Sequence, residues 1–237
     1  MKKRVKAPFF EIGPKSYLYG DKVFSLAMAA ERAANRYQVD VLFTAPFTEI
    51  RRISEAVNRV IVLAPHMDAI RPGRGVASIL PEALKAAGTQ GVLLNHCEKP
   101  LNFGRLVETV QRADELELMT VVCAGSLREA VAVAGLSPDV MIVEPPELVG
   151  TGKAASSDVI SQVVRTIRSV SPETLVLTAA GVSNGQDVYQ NILAGADGTG
   201  ASSGIACAED PEGMVEEMVR ALRSAYDERA LKTCRIS

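Results

Sequence analysis

Short apolar runs alternate with segments of helical periodicity along this 237-residue chain. Eight of the runs have the length and composition of buried strands, and they cover residues 9–12, 39–43, 60–64, 91–94, 118–123, 140–143, 175–178 and 196–200. Eight strands that alternate with helices in a chain of this length predict a single-domain α/β fold, a (β/α)8 barrel over residues 1–237. A doubly wound open sheet is the alternative, since periodicity does not show whether a sheet closes.

The segments between the runs place their apolar residues on one side of a helix. In residues 22–37, Val23, Leu26 and Ala30 lie on one stripe and Arg32 lies off it. Residues 103–116, 158–169 and 211–229 have similar spacing, and the sequence SLRE at 126–129 matches a capping box that opens another helix. We expect residues 231–237 to form a loosely held tail.

Composition and charge exclude several classes of protein. The chain has 47% hydrophobic and 23% charged residues, and its net charge of −2 gives no general attraction to nucleic acid or to an anionic membrane surface. No apolar run reaches the roughly 18–20 residues that span a bilayer. The four cysteines form no CxxC pair and only two histidines are present. We therefore expect no metal centre, and reduced thiols in a cytoplasmic protein.

Three reactive side chains follow predicted strands, at the end where barrel enzymes carry their active sites. Lys15 follows the first strand, His96 the fourth and Glu144 the sixth. A lysine can bind a phosphate or a developing enediolate oxygen, a neutral imidazole can donate to a carbonyl oxygen, and a carboxylate can act as a base. The alternatives are a surface lysine, a hydrogen-bonded structural histidine and a solvated glutamate.

The residues after Glu144 combine a stiff start with a glycine-rich end. Two prolines restrict the backbone at one end of this segment, and two glycines permit a turn at the other. This pattern predicts a mobile lid over the base. The lid comprises Pro145, Pro146, Glu147, Leu148, Val149, Gly150 and Thr151.

Small residues follow the seventh and eighth predicted strands. Residues 179–185 read AAGVSNG and residues 200–205 read GASSGI, and both lead into helical patterns. Backbone N–H groups at such turns suit a phosphate, as at the last two loops of many barrels. The alternative is a pair of tight strand-to-helix connections.

These motifs together resemble the triosephosphate isomerase family, and most closely its short archaeal type. The matching stretches are residues 93–98, 144–152, 181–185, 197–198 and 202–204, in the order that the family has. The resemblance implies that Lys15 is the catalytic lysine, His96 the electrophile and Glu144 the base that moves a carbon-bound proton. Glu98 matches an acid beside the histidine, one contact removed from the substrate. The positions matching amides that surround the phosphate are Gly152, Gly181, Ser202 and Ser203.

The sequence departs from the family at three places. Gly13 replaces an asparagine that contacts substrate and Pro14 replaces an aromatic residue, while Val76 stands where a threonine reaches the neighbouring subunit. Gly200 replaces a leucine that borders the substrate. The changes to Gly13 and Gly200 predict extra room for a longer carbon chain.

The sequence therefore predicts an aldose–ketose isomerase of carbohydrate metabolism, with the glycolytic pair glyceraldehyde 3-phosphate and dihydroxyacetone phosphate as first choice. A tetrose or pentose phosphate is the alternative substrate, and a non-catalytic phosphate-ligand sensor is the alternative of another class. We expect no cofactor, because Lys15 and His96 can share the enediolate charge. The resemblance implies a homodimer or homotetramer, with residues 67–78 docking into a neighbour through an exposed set of Met67, Ile70 and Val76.

Overall fold

The computed structural model describes residues 2–144, 151 and 155–234. Within these residues, eight parallel strands are hydrogen-bonded in chain order, and the eighth pairs with the first. The strands are β1 (Phe9–Ile12), β2 (Asp40–Thr44), β3 (Ile61–Ala64), β4 (Gly91–Leu94), β5 (Met119–Ala124), β6 (Val140–Val143), β7 (Leu175–Thr178) and β8 (Gly198–Ala201). The predicted (β/α)8 barrel is confirmed, and the open sheet is excluded because β8 closes on β1.

Helices follow the strands and cover the outside of the barrel. They are α1 (Asp21–Tyr37), α2 (Ile50–Ala56), α3 (Pro81–Ala86), α4 (Phe103–Glu115), α5 (Leu127–Ala134), α6 (Ser157–Val170), α7 (Gly185–Leu193), α8 (Ser203–Ala206) and α9 (Pro211–Cys234). The Ser126 side chain caps α5 by accepting from the Glu129 N–H at 3.2 Å. The expected loose tail is wrong for residues 231–234, since α9 continues to Cys234. Among the helices of the described residues, none has the length and apolar character to cross a bilayer.

Alternation along the strands divides the core into two layers. Phe9 packs inside the barrel with apolar side chains of the other strands, whereas Phe10 and Ile12 pack outward with the helices. Glu11 is buried, and it points into the barrel because it has the same parity as Phe9. A carboxyl group therefore lies among the inward-facing side chains of an otherwise apolar strand.

Strand β8 has glycine at its two inward-facing positions. Gly198 is the register partner of Phe9, and Gly200 is the register partner of Glu11. A Cβ atom at Gly198 would lie 2.6 Å from the Phe9 ring, and one at Gly200 would lie 2.6 Å from the Glu11 carbonyl oxygen and 2.9 Å from its Cβ. The expectation of free space beside Gly200 is therefore wrong, because β1 and the Glu11 side chain fill it.

The loop of residues 67–78 is tied back to its own barrel. The Asp68 N–H donates to the Ile79 carbonyl oxygen at 3.0 Å, and the Asp68 carboxylate accepts from the Ile79 N–H at 2.7 Å. Met67 is completely buried in the core and Ile70 is half-buried, while Val76 is fully exposed. The expectation that Met67, Ile70 and Val76 form one exposed set is wrong, because the first two pack onto the protein itself.

Candidate active site

A cavity of about 990 Å³ opens at the carboxyl-terminal ends of the strands. Lys15, His96, Glu98 and Glu144 all line it, although they come from the loops after β1, β4 and β6. The closed parallel barrel causes this convergence, because every strand ends at the same rim. The structure thus brings together the four titratable residues singled out in the sequence.

Lys15 has an uncommon backbone conformation and a fixed partner. Its φ of 46° is in the left-handed region, which costs a non-glycine residue about 1–3 kcal/mol and is found most often at functional sites. The Lys15 Nζ lies 2.8 Å from Glu98 Oε1. Burial disfavours the ammonium form, but the hydrogen bond to Glu98 and the charge of Glu144 outweigh burial and raise the pKa of Lys15. Lys15 therefore remains a cation at neutral pH.

His96 is held as a neutral hydrogen-bond donor. Its Nδ1 accepts from the Glu98 N–H at 3.1 Å, so the neutral ring carries its proton on Nε2. Burial, together with the positive charge of Lys15, lowers the pKa of His96 and outweighs the nearby Glu98 carboxylate. Nε2–H is thus the free donor of this side chain.

Asn95, which the sequence analysis gave no separate role, fixes the loop that carries His96. Its φ is 58°, a conformation that asparagine tolerates better than most residues. The Asn95 Nδ2 donates to the Cys123 carbonyl oxygen at 3.0 Å, and its Oδ1 accepts from the Leu101 N–H at 2.9 Å. An asparagine directly after a predicted strand was the available signal.

Glu144 lies directly after β6, and its N–H donates to the Ala124 carbonyl oxygen at 3.0 Å. Burial raises the pKa of Glu144; the Lys15 charge opposes this and the Glu98 charge adds to it. A carboxylate that is harder to ionise is also a stronger base once it is ionised. The position therefore suits proton abstraction better than a solvated surface glutamate would.

The loops after β7 and β8 meet on another side of the cavity. Gly181 has a φ of 73°, and Gly181, Ser202 and Ser203 all line the cavity. A Cβ atom at Gly204 would lie 2.6 Å from the Val182 carbonyl oxygen, so glycine permits the close approach of the two loops. The Ser202 hydroxyl is buried and has no hydrogen-bond partner among the residues described.

Part of the predicted site lies outside the described residues. This applies to Pro145, Pro146, Glu147, Leu148, Val149, Gly150 and Gly152. Thr151 is described, is exposed and lines the same cavity. In the described part of the chain, no group of three or more His, Cys, Asp or Glu side chains is arranged to hold a metal ion.

A further acid in this cavity, Glu11, was not predicted from the sequence. Glu11 lines it together with Thr44, whose Oγ1 donates to Glu11 Oε1 at 2.6 Å. Burial raises the pKa of Glu11 to about 7, with the Thr44 hydrogen bond lowering it, Glu144 raising it and Lys15 lowering it to smaller extents. The signal was a charged residue inside the apolar run at residues 9–12.

Comparison with known proteins matches residues 15–222 to the family model described as triosephosphate isomerase. The chain belongs to the triosephosphate isomerase family. It is 36% identical over 230 residues to the triosephosphate isomerase of Sulfurisphaera tokodaii, covering 95% of this chain and 100% of that protein. Identity is 35% to the protein of the same name from Sulfolobus acidocaldarius, over 95% of this chain and 99% of the relative. For the Methanobacterium bryantii protein it is 35%, over 90% and 96% respectively.

Membership of the triosephosphate isomerase family confirms the resemblance seen in the motifs. The match to the family model contains His96, Glu144 and the loops around Gly181 and Ser202, and it begins at Lys15. Glu11 precedes that match. The acid that the sequence analysis missed thus lies outside the segment matched by the family model, although it shares the cavity with residues inside that segment.

Proposed function

We propose that the chain is an intramolecular aldose–ketose isomerase that interconverts glyceraldehyde 3-phosphate and dihydroxyacetone phosphate. The observation that carries the proposal is the convergence of Lys15, His96 and Glu144 on one cavity in a member of the triosephosphate isomerase family. The three groups supply a cation, a neutral donor and a buried carboxylate. This combination suits proton transfer next to a carbonyl group.

In the proposed reaction, the Glu144 carboxylate removes a proton from the carbon next to the substrate carbonyl. The electron pair of that C–H bond forms the C=C bond of an enediolate, and the carbonyl oxygen becomes negative. The Nε2–H of His96 donates to that oxygen, and the ammonium group of Lys15 stabilises its charge. The His96 ring passes its Nε2 proton to that oxygen and takes the proton of the hydroxyl group on the deprotonated carbon, whose oxygen becomes the new carbonyl oxygen. The protonated Glu144 then returns its proton to the former carbonyl carbon, which receives the electron pair of the C=C bond, and this gives the isomer.

The substrate phosphate is proposed to bind at the loops after β7 and β8. Gly181, Ser202 and Ser203 line that side of the cavity, and the first N–H groups of α8 have no acceptor within the helix. The buried hydroxyl of Ser202, which has no hydrogen-bond partner in the described part of the chain, adds a further donor. From the sequence pattern, Gly152 is proposed to contribute an amide, and residues 145–151 to close over the bound substrate.

Proton exchange with solvent tests the proposed reaction directly. The purified protein in heavy water should incorporate deuterium into dihydroxyacetone phosphate and convert it into glyceraldehyde 3-phosphate. Glu144→Gln should lower the rates of both by about 10²- to 10⁴-fold while the protein keeps its thermal melting temperature. Glu147→Gln is the matched control, because it makes the same chemical change three residues along. Loss of exchange in the control alone would assign the base to Glu147.

Neither alternative function is favoured by an observation. The longer-sugar alternative depended on free space beside Gly13 and Gly200, but the Glu11 side chain lies against both positions, and the backbone of β1 lies against Gly200. A phosphate-ligand sensor would need the phosphate loops, but the neutral His96 and the raised pKa of Glu144 would have no use in it. The isomerase accounts for all of these groups.

Assembly and location are also proposed. Tyr17, Phe47 and Val76 are exposed apolar residues. Tyr17 and Phe47 line the cavity, and so does Ala77, which follows Val76. A homodimer or homotetramer would bury such a surface, so its exposure in the single chain supports this assembly. Free thiols at Cys97 and other described cysteines support a cytoplasmic location. Sedimentation at micromolar concentration should show an oligomer; a fully active monomer would remove the assembly proposal.

A further inference from the structure

The Glu11 carboxyl group is in an unusual place for a charged side chain. The residue is 8% exposed and points into the barrel, and its side chain lines the same cavity as Lys15, His96 and Glu144. Its position on β1 puts it at the floor of the cavity, between the strands and the loops that carry the other three. A molecule bound at those three side chains therefore occupies the same cavity as this carboxyl group.

Among the described residues, hydrogen bonds are made to only one of the two Glu11 oxygens. Oε1 accepts the hydrogen bond from Thr44 at 2.6 Å. Oε2 makes no hydrogen bond to a described residue. This oxygen is also not completely buried. Oε2 therefore faces the open cavity and can accept a hydrogen bond from a molecule bound there.

Two glycines determine where this carboxyl group can lie. A Cβ atom at Gly13 would be 3.2 Å from Oε1, and one at Gly200 would be 3.1 Å from Oε2. The carboxyl group thus fits against two stretches of backbone that carry no side chain at these points. The backbone on both sides accommodates it, and no side chain from Gly13 or Gly200 separates Oε2 from the cavity.

The charged groups around Glu11 give no structural reason for a carboxyl group at this position. Besides the uncharged Thr44, the titratable groups that influence it are Lys15, Glu144 and the Cys123 thiol of β5. Glu144 repels its charged form, and no ion-pair partner for Glu11 is found among the residues described. A buried acid without such a partner is disfavoured relative to an apolar side chain of similar volume, which points to a function in binding.

We propose that Glu11 is a specificity-determining residue, whose free Oε2 hydrogen-bonds a hydroxyl group of the sugar part of the substrate. This inference deepens the proposed function and rests on it for the identity of the substrate as a phosphorylated sugar. A hydroxyl group both donates and accepts, so it pairs with the carboxylate and with the neutral acid. The contact therefore selects hydroxylated phosphate esters over plain alkyl phosphates.

Two ligands that differ in their hydroxyl groups test the contact. Calorimetry gives the affinities of glycerol 3-phosphate, which carries two hydroxyl groups, and propyl phosphate, which carries none. Glu11→Met keeps an unbranched side chain of similar size but removes the hydrogen bond. It should weaken glycerol 3-phosphate binding at least about tenfold, since hydrogen bonds to charged groups are among the strong ones. Its affinity for propyl phosphate and for inorganic phosphate should stay within about twofold of the wild type.

Glu11→Gln is the conservative control, because its amide has the same shape and can both donate and accept. It should retain most of the preference for glycerol 3-phosphate. Equal weakening of both esters in Glu11→Met would show a packing role and overturn the inference, as would no change in either. Thermal melting of both variants checks that they fold.

An isomerase assay on the wild type separates the two proposals. Selective loss of glycerol 3-phosphate affinity in a protein that does not isomerise triose phosphates would refute the proposed function and keep the Glu11 contact. Normal isomerisation, with no effect of Glu11→Met on the affinity for either ester, would keep the proposed function and refute the Glu11 contact. A wild-type protein that binds neither ester would overturn both.

Discussion

Replacing Glu11 by glutamine should change the pH dependence of stability in a defined way. The folded protein holds the pKa of Glu11 at about 7, against an ordinary value of 4.5, and burial is the main cause. The unfolded chain has no such burial, so its Glu11 ionises near the ordinary value. Glutamine has the same shape and can accept the same hydrogen bond from Thr44, but it does not ionise.

The size of the effect follows from the separation of the two values. About 7 minus 4.5 is about 2.5 pH units, and each unit corresponds to about 1.4 kcal/mol, so the difference is about 3 kcal/mol. Below the unfolded pKa both states are protonated and the folded protein loses nothing. As pH rises towards 7, the unfolded state loses its proton first, and the free energy of unfolding falls.

The wild type should therefore match Glu11→Gln in stability at about pH 3.5 and be up to about 3 kcal/mol less stable at about pH 8. Chemical denaturation over this range, at one fixed protein concentration, measures the difference and keeps any assembly effect constant. A difference that does not vary with pH would refute the assignment of a raised pKa to Glu11.

Glu31 provides a matched control with the opposite sign. It is a glutamate of similar exposure, 9% against 8% for Glu11. Burial disfavours its ionised form, but hydrogen bonds from the Val60 and Arg59 backbone N–H groups outweigh burial and lower the pKa of Glu31. Its stabilising contribution is present above the unfolded pKa and is lost as pH falls through the folded one. Glu31→Gln should thus destabilise most at neutral pH, and the loss should shrink towards acid pH.

Three further predictions concern the site and the barrel. Glu144→Gln should lower kcat by about 10²- to 10⁴-fold in a coupled isomerisation assay, because an amide cannot accept the proton; near-normal kcat would place the base elsewhere. Nitrogen NMR should find His96 neutral with its proton on Nε2 at neutral pH, and an imidazolium signal there would contradict the hydrogen bonding. Gly200→Ala should destabilise by about 1–3 kcal/mol, because its Cβ would press on Glu11; an unchanged melting temperature would contradict that approach.

The fold and the reactive rim were predictable because both depend on local pattern. Each strand is a short apolar run, and the carboxyl-terminal ends of parallel strands must meet at one rim. The strand boundaries were less certain, and β8 shows why. Residues 196 and 197 are buried but precede the strand, because the Asp197 carboxylate accepts from the Val176 N–H at 2.9 Å and pairs with Arg168. The sequence alone does not distinguish these two residues from the first residues of the strand.

The geometry of His96 was only partly predictable. The sequence placed an imidazole at a strand end, but the tautomer depends on the Glu98 N–H that donates to Nδ1. The lowered pKa depends on burial and then on the positive charge of Lys15, which is 81 residues away in the sequence. The influence of Lys15 depends on the barrel, which brings the ends of distant strands together, and it leaves no local pattern in the sequence.

The role of Gly200 could not be obtained from its own strand at all. A missing side chain leaves a void only if no neighbour fills it, and the neighbour of β8 is β1, at the other end of the chain. Barrel closure sets the register that places Glu11 against Gly200 and Phe9 against Gly198. In both pairs a large inward side chain on β1 faces glycine on β8, so each glycine makes room for its partner on β1. Glu11 fills the volume that was predicted to hold a longer substrate. The polarity of this rim therefore changes, because a carboxyl group lies beside a position that no longer has an apolar side chain.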